Sequence, residues 1–136
     1  MTRSILVTGA TGNIGTILVS ALEALSGVSV TAFIRDRAKA ENLFGGDIQL
    51  AKGDFEDVDS LAHAMSGTDT VVSIVPPNRD CVEQVSAIID AAKQSGVRKM
   101  VRVSAIKAAE DGRTENTRLH GQCDRLLHVR CAIGGR

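Results

Sequence analysis

The sequence predicts an α/β fold: a three-layer, doubly wound parallel sheet with strand order 3-2-1-4-5. Three observations carry this expectation. Apolar, β-branched runs alternate five times with segments whose apolar residues recur at helical spacing. The connections are short, which selects right-handed βαβ crossovers and a sheet covered on both faces. The first strand-to-helix turn also holds Gly9, Gly12 and Gly15, each three apart, in the setting where such a triplet has a physical purpose.

Each element follows from its residues. Ile5-Leu6-Val7 is a continuous apolar run, as a strand buried on both faces shows, and places the first strand at about 4–7. Ile17, Leu18, Val19, Leu22 and Leu25 fall at spacings of one, three and four, which predicts a first helix over about 13–25, closed by Gly27. The β-rich stretch 28–34 is a second strand. A short helix to Leu43 or Phe44 follows and is broken by Gly45-Gly46. Residues 48–51 form a brief third strand, and 58–65 a helix ended by Gly67. Thr70-Val71-Val72-Ser73-Ile74-Val75 is a fourth strand stopped by Pro76-Pro77. A helix over about 79–94 carries Val82, Val85, Ile88, Ile89 and Ala92 on one stripe, with Gly96 as its cap. The fifth strand covers 99–103. Residues 108–115 are polar loop, about 116–129 a helix with Leu119, Leu126 and Leu127, and 130–136 a tail without a convincing strand. The whole, 1–136, reads as one domain with a core of about 3–105. In such a Rossmann-type arrangement the ligand crevice opens between strands one and four.

Composition narrows the function classes. With 16 Lys plus Arg against 16 Asp plus Glu, no net charge steers the chain toward nucleic acid or membrane. No apolar run approaches the ~18 residues needed to span a bilayer, and no export signal precedes the first strand. Cys81, Cys123 and Cys131 form no CxxC pair, so they read as reduced thiols of a cytoplasmic protein. Three scattered His and three scattered Cys offer no metal-ligand spacing.

The glycine turn has a chemical reading. Gly9 permits the sharp turn at the strand end, Gly12 lacks the Cβ that would block a pyrophosphate, and Gly15 lets helix and strand press together. Backbone N–H groups of Thr11, Asn13 and Ile14, with the Thr11 hydroxyl, would meet phosphate at the positive end of the helix dipole. The plain alternative is an ordinary glycine-rich turn. About 20 positions on, where an acidic residue would grip the ribose of NAD, the second strand ends in Arg35. A guanidinium there suits a 2′-phosphate, and Arg37 and Lys39 add charge. NADP(H) is therefore the expected cofactor, with NAD(H) left open by Asp36. A solvated charged loop is the alternative for Arg37 and Lys39.

Val7-Thr8-Gly9-Ala10-Thr11-Gly12-Asn13-Ile14-Gly15, with Ile34-Arg35-Asp36, Gly53-Asp54-Phe55, Val75-Pro76-Pro77 and Val103-Ser104-Ala105, resembles the NmrA-like branch of the atypical short-chain dehydrogenases/reductases. The match covers about residues 3–128. It implies a dinucleotide-binding fold, usually with NADP(H), in reductases of quinone and isoflavone type and in cofactor-sensing regulators. By this resemblance Asp54 and Phe55 lie beside the adenine, and Val75-Pro76 where the nicotinamide ribose passes. Ser104 takes the position of the superfamily's active-site serine. Members of the family are longer, so the chain reads as truncated before the later strands.

The ordinary short-chain reductase uses a tyrosine acid with a lysine four residues on; this chain has no Tyr, and its catalytic residues are not identified. Lys107 and His120 remain as candidates for proton transfer, with a surface position expected for both. The expected function is an NADPH-dependent reductase of a small quinone or carbonyl compound. The alternatives are a non-catalytic NADP(H)-sensing module and an inactive relic of a longer reductase. An uncovered fifth strand would invite pairing into a homodimer.

Overall fold

A computed structural model describes residues 2–45 and 48–131. The elements run β1 (Arg3–Val7), α1 (Asn13–Glu23), β2 (Val28–Ile34), α2 (Arg37–Phe44) and β3 (Gln49–Lys52). They continue with α3 (Val58–Met65), β4 (Thr70–Ser73), α4 (Cys81–Ser95), β5 (Lys99–Arg102) and α5 (Glu115–Cys131). The five strands form one sheet in the order β3-β2-β1-β4-β5, and every pairing is parallel. The expected α/β doubly wound fold is thus the observed one.

Register explains the two cores. In β1, Leu6 points into a cluster with Leu61, Met65, Val85, Ile88 and Ile89, which belongs to the α3–α4 face. Its neighbour Val7 points into the opposite cluster with Val19, Val30, Ala32, Ile34 and Ala40, on the α1–α2 face. Alternation of side chains along a strand forces this division, so a strand in mid-sheet must be apolar on both sides. Cys123 of α5 is fully buried in the first cluster, and Leu119, Leu126 and Leu127 pack against it. Helix α5 is therefore a packed part of the fold. Residues 132–136 of the expected tail lie outside the described residues.

Some boundaries differ from expectation for visible reasons. Helix α1 ends at Glu23 rather than near 25, because its last turn tightens, with Leu25 N–H donating to Leu22 O at 3.1 Å. Leu25 is consequently 55% exposed, and Ile17 on the outer face 73% exposed; neither belongs to the buried stripe that spacing suggested. Strand β4 ends at Ser73 rather than Val75. The next amide, Ile74 N–H, donates at 2.9 Å to the Thr8 hydroxyl instead of to a ladder. Gly96 ends α4 in the left-handed conformation, as a cap glycine should.

Candidate functional site

The carboxyl ends of β1, β2, β4 and β5 open into a cleft of about 580 Å³. Its floor is the glycine turn. Gly9 has φ +62°, and a Cβ there would stand 2.5 Å from the Ile74 carbonyl oxygen. A Cβ on Gly15 would stand 2.1 Å from the Gly9 carbonyl oxygen, so α1 reaches β1 only because that atom is missing. Gly12 differs: its added Cβ would touch only Gly9 O at 3.4 Å, an ordinary contact. The space over Gly12 is open on the cleft side.

Gly12 is also the N-cap of α1. It carries no side-chain cap, and the first turn holds no acidic residue. The first helical bond is Thr16 N–H to Gly12 O at 3.0 Å. The amides of Asn13, Ile14 and Gly15 thus stand at the positive end of the helix with no acceptor among the described residues, a ready site for phosphate oxygens. Thr8 frames this floor in a way the sequence did not reveal. Fully buried, it donates its hydroxyl to Ile74 O at 3.1 Å and accepts from Ile74 N–H. That pair of hydrogen bonds ties the chain leaving β1 to the chain leaving β4 just beyond their ladder.

The expected site residues mostly converge here. Gly9, Thr11, Gly12, Asn13 and Ile14 line the floor, Arg35 and Phe55 one end, and Val75, Pro76 and Ser104 the other. Phe55 stacks obliquely on Phe33, with ring centroids 5.8 Å apart. Asp36 also lines the cleft, but its Oδ1 accepts from Lys39 N–H at 3.1 Å as the N-cap of α2.

Three placements differ from expectation, and Lys107 lies on the surface as expected. Asp54 lies outside the cleft, in an adjoining depression of about 420 Å³ that it shares with Arg35 and Lys52. Its Oδ1 accepts from Glu56 N–H at 3.0 Å, a local turn closure typical of Asp. Arg37 does not reach the cleft and instead faces Glu41 across 4.0 Å, one helical turn on; Lys39 does line the cleft. Lys107 is exposed, with φ 60°, and is no part of the site. His120, expected on the surface, is 8% exposed and lines the cleft.

His120 belongs to a side-chain network that no sequence spacing announced. Arg102, whose side chain is 3% exposed, donates from Nη1 to Asp124 Oδ1 at 2.6 Å and from Nη2 to His120 Nδ1 at 2.9 Å. Ser104 donates its hydroxyl to Asp124 Oδ2 at 2.5 Å. Burial first, and then the Arg102 charge, push the His120 ring below its ordinary value, while Asp124 opposes them. Helix α5 can lie this close because Gly121 has no Cβ: one there would meet the Ala109 carbonyl carbon at 2.2 Å.

A family described as NAD(P)H-binding matches residues 9–124, from the glycine turn to Asp124. The chain belongs to this NAD(P)H-binding family. An NAD(P)H azoreductase of Xenophilus azovorans is 36% identical over 118 residues, covering 87% of this chain and 41% of that protein. An NADPH-dependent quinone oxidoreductase of Escherichia coli, solved with NADPH, superposes with a TM-score of 0.83 at 25% identity over 93% of this chain and 45% of its own. A triphenylmethane reductase of Citrobacter sp., solved with NADP(H), gives a TM-score of 0.82 at 26% identity, over 93% and 46%. The resemblance to the NmrA-like reductases thus holds. The chain spans under half the length of these relatives. In this member of the NAD(P)H-binding family the glycine turn lines the cleft.

Proposed function

We propose that this chain binds NADPH across the cleft and serves the reduction of a small quinone or carbonyl compound. The observation that carries the reading is the uncapped amide cradle of α1 beneath Gly12, opening onto a cleft with Arg35 at one end and Ser104 and His120 at the other. The amides of 13–15 would hold the pyrophosphate, and Phe55 would lie against the adenine. Arg35, with Lys39 beside it, would take the 2′-phosphate as a planar, bidentate donor. The nicotinamide end would then lie near Val75, Pro76 and Ser104. Bound NADPH supplies a hydride there.

The absence of Tyr removes the Tyr–Lys acid pair without removing the reaction, since a quinone that accepts a hydride can draw its proton from water. The names of the azoreductase and quinone oxidoreductase relatives support the reaction class. The decisive experiment is calorimetric titration with NADPH and with NADH, on the wild-type chain and on Arg35→Ala. The expected result is a preference for NADPH that falls about 10- to 100-fold in the variant, the worth of one or two charge-assisted hydrogen bonds. Equal affinity for both cofactors, or none for either, would refute the reading.

A further inference from the structure

We propose that His120 is a neutral hydrogen-bond donor that grips, through Nε2–H, the carbonyl oxygen of the compound receiving the hydride. The inference rests on the NADPH-dependent reduction proposed above and adds to it the residue that meets the substrate.

The argument begins with the tautomer. A guanidinium has five N–H donors and no acceptor, so the Arg102 Nη2 contact with His120 Nδ1, 2.9 Å long, requires a bare lone pair on Nδ1. The ring proton must then sit on Nε2. Among the described residues the buried polar atoms without a partner are Ser73 Oγ, Gln84 Oε1 and Arg102 Nε. His120 Nε2 is not one of them and makes no hydrogen bond to a described residue, so it is open to solvent, and the residue that carries it lines the cleft. Its N–H is a donor kept for something outside the protein.

The neighbouring groups leave this role to His120. Ser104 also lines the cleft, but its proton is committed to Asp124 Oδ2, and toward the cleft it offers lone pairs. Arg102 is held away from solvent by burial of its side chain. Its charge still acts through the ring, since donating into Nδ1 draws electron density off and makes Nε2–H a stronger donor. Protonating Nδ1 would set two donors against each other, so an imidazolium is the wrong acid here.

The chemistry balances without one. The hydride brings two electrons and one proton to the quinone, one carbonyl oxygen becomes an oxyanion, and water supplies the second proton. His120 keeps its proton throughout and stabilises the oxygen as its charge grows, the part a fixed dipole plays at any developing oxyanion.

The test uses a chain labelled with ¹⁵N-histidine, and duroquinone, which has no free ring position to react with thiols. Nitrogen NMR of the wild-type chain at neutral pH is expected to show His120 as the Nε2–H tautomer. Its Nε2 signal should shift when duroquinone is added with NADP⁺, a pair that cannot react. In steady state, His120→Ala is expected to raise the KM for duroquinone about tenfold, the worth of one well-placed hydrogen bond, and to lower kcat as the developing oxyanion loses its donor, with NADPH affinity unchanged. His120→Gln, which restores a donor, should recover most of it. An Nδ1–H or doubly protonated ring would overturn the inference, as would His120→Ala saturating like wild type. If NADPH binds and nothing is reduced, the reductase reading fails. The duroquinone shift then decides the inference alone: present, it stands as a carbonyl-binding site; absent, it falls. If neither His120 variant folds, the tautomer and the shift in the wild-type chain decide it.

Discussion

Alanine at Gly12 and alanine at Gly15 should separate the two jobs of the glycine turn. Gly12 sits at φ −82°, ψ −179°, extended backbone open to any residue, and its new Cβ would touch only Gly9 O at 3.4 Å. Alanine is a poorer N-cap than glycine by about 0.5–1 kcal/mol, while a stiffer unfolded chain returns about 0.4–1 kcal/mol. The fold should therefore be nearly indifferent. Binding should not be, because the methyl occupies the space above the free amides. Losing one phosphate–amide hydrogen bond, worth about 1.5–3 kcal/mol, lowers affinity roughly 10- to 100-fold. Gly15→Ala inverts this pattern. Its Cβ would lie 2.1 Å from Gly9 O, 2.7 Å from Ala10 Cα and 2.8 Å from the Gly9 carbonyl carbon. All three are backbone atoms, so no rotamer relieves the clash, and α1 must lift away from β1. The cost is about 3 kcal/mol or more, out of a total of about 5–15 kcal/mol. At about 4 °C per kcal/mol for a domain of this size, the melting temperature falls by roughly 10 °C. Thermal melts and calorimetric titration with NADPH check both variants. Gly12→Ala binding like wild type, or Gly15→Ala melting within a few degrees of it, would refute the reasoning.

Three further outcomes are expected. Thr8→Val, nearly isosteric, strands the Ile74 amide and carbonyl that Thr8 now serves; chemical denaturation should show a loss of about 1–3 kcal/mol, and NADPH affinity should fall as the tie between the Gly9 turn and Ile74, both lining the cleft, is lost. Folded His120 lies below the ordinary 6.5 through burial and the Arg102 charge, with Asp124 opposing, so between its folded value and 6.5 the unfolded chain binds more protons. Stability should therefore be complete above about pH 6.5 and decline as pH falls through that window, and denaturation across pH should show a shallower decline in His120→Gln; an identical decline would exclude His120 as its source. Cys81 and Cys123 are buried with their sulfurs 3.6 Å apart, and burial, with the Cys81 contact, pushes the Cys123 thiol up to about 12; in a Cys131→Ser background neither should be alkylated at pH 7.5 until the chain unfolds.

What the sequence disclosed, and what it withheld, divides along a physical line. Elements set by local rules were legible. Val28–Ile34 and Val58–Met65 lie where β-branched content and apolar spacing put them, and the glycine turn announced the floor of the cleft, because its demands act within a few residues. Contacts between distant segments were not legible. Thr8 and Ile74 are 66 positions apart, and a threonine just past a strand end gives no sign that its hydroxyl will replace a ladder partner. Leu25 and Ile17 show the converse: helical spacing cannot tell which side of an apolar stripe the sheet will cover, so two of its members ended exposed.

His120 makes the same point with chemical consequence. A histidine on a polar helix reads as a surface residue, and by local evidence that is right. It becomes a cleft residue because Gly121 lets α5 approach the loop at Ala109, and because Arg102, buried at the end of β5, requires acceptors. Asp124 supplies one and His120, four residues earlier on the same helix face, the other. The buried guanidinium is therefore the organising element at this end of the cleft: it fixes a tautomer, orients a carboxylate and through it commits the Ser104 proton. A donor and an acceptor of defined sense thus face the space where the nicotinamide end of the cofactor is proposed to lie. The glycine turn suits the chain to a dinucleotide in general; on the inference drawn above, the Arg102 network is the part that would meet the second compound.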